Sequence, residues 1–366
     1  MPPAPATGLL IWALVAAACL LDRLLGDPRS WPHPVVLMGR TISGLRRLAE
    51  AWAGDHPWRL RLSGLLITLS LTAASALAGW LIEQLAWRLP VVGVPLLLLA
   101  LASALAGRSL EQAVREVLDA LPPASASGAD IDLTEARRRL GWIVGRDVEQ
   151  LEEAQILRAL AETASENGVD GLFAPLFWML VGAALWSLSA SAAPLGPGPL
   201  CLAWLFKAAS TLDSMLGYRR GRLRWLGTAG ARLDDGLTWL PCRLVALTLP
   251  LLPAAAGVAI AHPDGRPGPS SPWQRFRRAL REGAPDPSPN AGVSQAAYAL
   301  AAGVRLGGVN RYQGQERVKP LLAAECAAAD RAAIERLLGL SRRLELAWLL
   351  AALPLLMALG GLGGLA

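Results

Sequence analysis

Long apolar runs separated by short charged clusters set the plan of this chain. Gly8–Leu25, residues 62–82 and residues 172–193 each reach the roughly 18 to 20 apolar residues that a bilayer crossing needs. Residues 90–106 are shorter but wholly apolar. Residues 237–261 and 344–365 are further candidates, interrupted by Pro241, Pro250, Pro253 and Pro354. Residues 133–161 instead carry closely spaced charges and predict a solvated helix. The turn-rich stretches 122–130 and 261–272 read as linkers. Alternation of strand type is scarce. The pattern predicts an all-α, polytopic membrane protein with about 4–6 hydrophobic helices, organised as one membrane-embedded domain over 1–366.

Composition agrees with the pattern: 53% of residues are hydrophobic and 17% charged. The net charge of +6 lies in the polar segments. Residues 26–61, 107–171, 217–236 and 262–343 hold most of the arginines, and this bias predicts that all four face the cytoplasm of a cell (inner) membrane. Spans must then come in pairs, 62–82 with 90–106 and 172–193 with 200–216, leaving 237–261 as a broken or re-entrant element. Aromatics are not interleaved with the arginines, so the charge reads as topology and not as a nucleic-acid surface. No basic residue precedes the first apolar run, which is expected to be an uncleaved helix despite V-A-A-A-C at 15–19. Cys19, Cys201, Cys242 and Cys326 lie far apart without C-x-x-C spacing, which argues against a zinc site or a disulfide framework.

Four polar constellations interrupt the apolar pattern. The first, G-D-P-R-S-W-P-H-P-V at 26–35, holds Asp27 and His33 in a proline-stiffened loop. His33 is a candidate general acid or base, or else a turn residue capping a backbone carbonyl. The second, A-E-T-A-S-E-N-G-V-D-G at 161–171, would stack Glu162, Glu166 and Asp170 on one helical arc. Stacked like charges weaken a helix, so this arc calls for a cation, and an all-oxygen set suits Mg2+. Gly168 could end the helix first.

The third contains Lys207, one of two lysines among 35 basic residues. At helical spacing Ser210, Thr211, Asp213 and Ser214 share its face, while Ala208, Ala209, Leu212, Met215 and Leu216 form the opposite one. Lipid alone would not accept such a polar face. Arg219, Arg232, Asp234, Asp235 and Arg243 follow, residue types suited to metal and phosphate. The fourth, D-P-S-P-N-A-G at 286–292, offers Ser288 and Asn290 as helix caps near an anion-binding terminus. No G-x-x-x-x-G-K-[ST] occurs, which excludes a P-loop nucleotide site.

In this order, the motifs resemble the adenosylcobinamide-phosphate synthase family of cobalamin biosynthesis over nearly the whole chain. The matching pieces are G-D-P…P-H-P-V, E-T-A-S-E-N-G-V-D-G-L-F-A-P-L-F, K-A-A-S-T-L-D-S-M-L-G-Y, A-R-L-D-D and S-P-N-A-G. The resemblance implies a membrane ligase joining a side-chain carboxyl of adenosylcobyric acid to aminopropanol or its O-phosphate, with ATP as co-substrate and Mg2+. It implies catalytic roles for His33, Asp27, Lys207 and Asp213. Arg219, Arg232, Arg243, Ser288 and Asn290 would bind phosphate or substrate, and Glu162, Glu166, Asp234 and Asp235 would bind metal. It also implies a corrinoid partner, the lipid bilayer and association with other corrinoid-pathway enzymes.

The chain departs from the family pattern at three places. Ser210 and Thr238 stand where asparagine is usual, and Val293-Ser294-Gln295 replaces an aromatic-Pro-Glu run. Two alternatives to the ligase therefore stand: a non-catalytic scaffold or regulatory homologue, and a transporter. A transporter would carry charge central in several long spans, whereas here most charge lies at span ends and in loops.

Overall fold

The computed structural model describes residues 4–27, 33–122, 132–189, 195–253 and 271–363. In chain order the helices are α1 (Ala4–Leu25), α2 (Pro34–Ala53), α3 (Pro57–Arg88), α4 (Pro90–Ala102), α5 (Gly107–Asp119), α6 (Thr134–Leu140), α7 (Glu153–Gly168), α8 (Ala174–Leu188), α9 (Pro199–Leu216), α10 (Leu223–Leu226), α11 (Thr228–Thr248), α12 (Pro272–Gly283), α13 (Ala291–Ala302) and α14 (Arg331–Gly363). The strands β1 (Val304–Tyr312), β2 (Gln315–Leu322) and β3 (Ala327–Ala328) lie between α13 and α14. Among the described residues four helical stretches are long and apolar enough to cross a membrane: Gly8–Leu25, Pro57–Arg88, Glu153–Leu188 and Arg331–Leu362. The pair α4 and α5, bent by 40°, makes a fifth if it is one broken span. The chain is thus a polytopic, predominantly α-helical membrane protein.

Contacts divide it into two compact units: Met1–Arg108, Asp170–Thr238 and Ala347–Ala366 in the first, Ser109–Val169 and Trp239–Leu346 in the second. In the first, prolines start helices where a missing N–H costs nothing, at Pro34, Pro57, Pro90 and Pro199. The start of α9 is fixed further by the buried Glu83 carboxylate of α3. It accepts the Gly198, Leu200 and Cys201 N–H groups at 3.2, 2.6 and 3.0 Å, an anion on a helix N-terminus. Ile42, Leu60, Ile67, Leu71, Leu212, Leu216 and Leu226 pack as the core beneath. Leu65, Leu66, Leu69, Leu77 and Leu81 of α3 stay exposed, as a lipid-facing surface requires.

In the second unit the chain departs from the sequence reading twice. Residues 133–161 are two helices, α6 and α7, and not one. The intervening segment spends its side chains on β1 and its turn: Asp147 accepts the Gln313 and Gly314 N–H groups at 2.9 and 2.7 Å. The second departure is the sheet, of order β2-β1-β3, with β1 antiparallel to β2 and parallel to β3. Its hairpin turns through Gln313 and Gly314, both at positive φ, the backbone that a two-residue turn of matching twist demands. A bulge at Gly307, φ +84°, brings the Gly307 Cα within a position where any Cβ would meet the Pro320 carbonyl at 2.0 Å. Of the linker stretches 122–130 and 261–272, residues 123–130 and 261–270 lie outside the described residues. The 237–261 candidate resolves into α11, which begins earlier at Thr228 and carries Pro241 within it, then a 3-10 turn at Leu249–Leu251. Residues 254–261 are outside the described set.

Candidate functional site

In the first unit, α9 forms as the periodicity predicts and carries Lys207 to the end of several other elements. The ammonium lies within electrostatic range of Asp22 and Asp27 at the end of α1, Asp170 in the π-helical turn Val169–Phe173, and Asp234 on α11. Two hydroxyls of the polar face turn back onto their own helix, Thr211 to the Lys207 carbonyl at 2.7 Å and Ser214 to the Ser210 carbonyl at 2.9 Å. What remains of the face is one cation among carboxylates. Burial, with Asp213 and Asp235 close by, pushes Asp234 up to about 7, and Lys207 opposes that rise. Burial also raises Asp235, which Arg219 draws back down. Arg219 and Arg232 are exposed.

Asp27 and His33 meet at the head of α2. His33 Nε2 donates to Asp27 Oδ1 at 3.0 Å, and Nδ1 accepts the Val35 N–H at 3.3 Å as the N-cap. Assigned this way from the hydrogen-bond network, the neutral ring uses both nitrogens and has no lone pair left for a substrate proton. The cap is to a backbone N–H rather than to the carbonyl that the loop sequence suggested. Beside the pair lies a cavity of ≈ 320 Å³ whose walls are mostly apolar, among them Leu21, Leu96, Leu99 and Trp204.

In the second unit, α7 ends at Gly168, so the helical register that would add Asp170 to Glu162 and Glu166 stops there. Glu162 is 1% exposed and fully engaged: its carboxylate accepts from Arg146 and, at 2.9 Å, from the Gly307 N–H of the bulge. Arg146 also reaches Asn310 at 2.7 Å, and Arg158 the Gly307 and Val309 carbonyls at 2.8 and 2.7 Å. Glu166 accepts from Gln295 at 2.7 Å. Lys319, the other lysine of the chain, pairs with Asp286 at 3.0 Å, with Glu166 also in electrostatic range. Its cost of burial is outweighed by those two carboxylates, which hold its pKa above the usual lysine value. Ser288 Oγ accepts the Asn290 and Ala291 N–H groups at 3.3 Å, capping α13. The Asn290 side chain turns to Arg243, which also donates to the Pro289 carbonyl at 2.7 Å.

The sequence profile of the family described as CobD/Cbib protein matches residues 15–341. The chain belongs to this family. A cobalamin biosynthesis protein CobD of Synechocystis sp. is 40% identical over 352 residues, covering 96% of this chain and 93% of the relative. A cobalamin biosynthesis protein CbiB of Salmonella choleraesuis is 36% identical over 365 residues, with 98% and 99% covered. A CobD of Halalkalibacterium halodurans is 39% identical over 309 residues, with 83% and 84% covered. No solved structure matches the chain.

Within this CobD/CbiB chain the predicted residues fall into two groups. Asp27, His33, Lys207, Asp213, Arg219, Arg232, Asp234 and Asp235 belong to the first unit, and Glu162, Glu166, Arg243, Ser288 and Asn290 to the second. Sequence reasoning gave no site role to Asp22, Arg146, Asp286, Asn310 or Lys319. Lys319 carried a usable signal, since it shares with Lys207 the distinction of not being an arginine.

Among the described residues no three His, Cys, Asp or Glu side chains converge to hold a metal unaided. A Mg2+ ion that arrives with phosphates needs only one or two carboxylates. Asp234 fits that role, because its Oδ1 is buried without a hydrogen-bond partner.

Proposed function

We propose that the chain serves cobalamin biosynthesis as an ATP-dependent ligase, joining a corrinoid side-chain carboxyl to aminopropanol or its O-phosphate. The observation that carries this reading is the carboxylate-ringed Lys207 of α9 in a chain of this family. An amide forms from a carboxylate only after one carboxyl oxygen becomes a leaving group. Transfer of the γ-phosphoryl of ATP to that oxygen gives an acyl phosphate and ADP, and attack by the neutral amine then releases phosphate and one proton. Mg2+ bound with the nucleotide would screen its phosphate charge. Lys207 and Arg219 would hold phosphate oxygens by charge-assisted hydrogen bonds. Asp234 and Asp235 take the metal role. Glu162 is committed to Arg146 and the bulge, and Glu166 to Gln295. Exposed Arg232 completes the phosphate-binding set of the first unit. In the second unit Arg243 is taken up by Asn290 and the Pro289 carbonyl, and Ser288 by the start of α13.

The proton of the attacking amine goes to Asp27, and His33 holds that carboxylate through Nε2–H. Asp213 supports the ammonium face of α9. The cavity beside Asp27 is far smaller than a corrin macrocycle and suits a three-carbon amino alcohol against its apolar wall. The macrocycle therefore approaches from outside, presenting only its carboxyl arm. The bias of arginine toward these segments supports a cytoplasmic rim of the inner membrane as the site of this chemistry.

The test is amide synthesis by the purified full-length chain supplied with adenosylcobyric acid, the amine and Mg-ATP. Wild type is expected to form product. Lys207→Ala and Asp213→Ala are each expected to lower kcat/KM by about two orders of magnitude or more, as loss of transition-state charge stabilisation does. Full activity in both variants would overturn the placement of the site, and no product from wild type would overturn the ligase.

A further inference from the structure

Thr238 of α11 takes no part in the proposed chemistry, yet it is polar and deeply buried. It is 1% exposed, and its Oγ1 is buried with no hydrogen-bond partner. A helical threonine ordinarily resolves this by bonding the carbonyl four residues back, as Thr68, Thr72 and Thr211 do. Thr238 does not. One turn earlier on the same helix, Asp234 Oδ1 is in the same condition. Two buried oxygens without partners on successive turns call for a common ligand, since such atoms are rarely left unsatisfied.

The packing of α11 shows where that stripe points. Its first turn lies so close to α9 that a Cβ on Gly230 would meet Leu212 Cβ at 3.0 Å, and one on Gly227, just before the helix, would meet the Leu216 carbonyl at 1.9 Å. At 100° per residue, Gly227, Gly230, Asp234 and Thr238 occupy one arc of about 80°. Asp234 and Thr238 therefore continue the glycine stripe along the side of α11 that faces α9 and its lysine. Trp178 of α8 closes the far end by donating Nε1–H to the Leu237 carbonyl at 3.1 Å. Neither oxygen looks to solvent.

We infer that Asp234 Oδ1 and Thr238 Oγ1 together ligate a divalent cation of the Mg2+ class. Their i,i+4 spacing places the two side chains about 5–6 Å apart at Cβ, on one face of the helix. Paired ligands four residues apart on a helix chelate a single ion in other metal sites. Carboxylate and hydroxyl oxygens are donors that Mg2+ accepts, with water and phosphate filling the remaining positions. This deepens the proposed role of Asp234 and rests on it.

The test measures cation binding without nucleotide or corrinoid, so that it is independent of amide synthesis. The full-length chain in detergent is stripped with chelator and titrated with Mn2+, followed by loss of the free-ion paramagnetic resonance signal. Thermal unfolding is recorded with and without Mg2+. Thr238→Val and Asp234→Asn are each expected to weaken Mn2+ binding by about tenfold or more, and Thr238→Ser and Thr238→Asn to stay within about threefold of wild type. Thr238→Val should also unfold at a higher temperature than wild type in chelator, because it removes an unpartnered hydroxyl without changing shape. It should gain less from added Mg2+. Wild-type affinity in Thr238→Val, or a lower unfolding temperature in chelator, would overturn the site by showing that the hydroxyl has a water or protein partner. Failure of wild type to bind Mn2+ would overturn it as well. Cation binding without amide synthesis would leave the site standing and remove the ligase reading.

Discussion

A lysine in an arginine-rich chain is a residue whose side chain has been chosen for its shape. Both lysines here sit against carboxylates, Lys207 among Asp22, Asp27, Asp170 and Asp234, and Lys319 against Asp286 and Glu166. A compact ammonium fits such a ring better than a planar fork. Glu162 is the contrasting residue. Its sequence context matched a metal ligand, yet its carboxylate is consumed by Arg146 and the Gly307 N–H. Glu162→Gln is therefore expected to leave Arg146 buried without its counter-charge and to destabilise the fold by about 3–5 kcal/mol. In the Mn2+ titration it should bind as wild type does. A variant that kept its unfolding temperature but lost cation affinity would restore Glu162 as a ligand. The polar face of Lys207 was legible because helical periodicity needs only local sequence. The partners of Glu162 were not, because Arg146 and Gly307 approach through a loop and a strand bulge 16 and 145 residues distant.

At the scale of elements, the long helices were the most readable part of the chain. Gly8–Leu25 appears with the bounds its hydropathy gave, and α3 and α14 extend their apolar runs by polar turns at the ends. The sheet was missed for a physical reason. β2 is exposed along most of its length, so it lacks the apolar alternation that marks a half-buried strand. The Gln313-Gly314 turn and the Gly307-Gly308 bulge were its signals, and they resemble ordinary loop glycines until paired. α9 poses the remaining question of this scale. It is not among the helices apolar enough to cross by composition, because Lys207 and Asp213 lie within it. The cytoplasmic placement proposed for the arginine-rich segments on both sides of α8 and α9 requires α9 to cross and return the chain. Reporter fusions within 190–194 should then signal from the far side of the membrane, and fusions within 123–131 and 254–270 from the cytoplasm. A cytoplasmic signal from 190–194 would mean that α9 does not cross.

For the molecule as a whole, family membership and a helical membrane architecture are established, and the division of site residues between two compact units is the feature that sequence could not supply. Order along the chain interleaves the two sets: Asp27 and His33, then Glu162 and Glu166, then Lys207 to Asp235, then Arg243 to Asn290. Contact alone sorts them. The first unit holds Lys207, the unpartnered Asp234 and Thr238 oxygens and the small cavity; the second holds carboxylates already paired with Arg146 and Lys319. The central claim is that the chain turns a corrinoid carboxyl into a phosphorylated leaving group and replaces it with an amine. Adenosylcobyric acid labelled with 18O in both oxygens of the reacting carboxyl tests it directly, in one turnover with Mg-ATP and the amine. The account predicts one 18O atom in each inorganic phosphate released with an amide formed. Amide formed with no label in any phosphorylated product would contradict it.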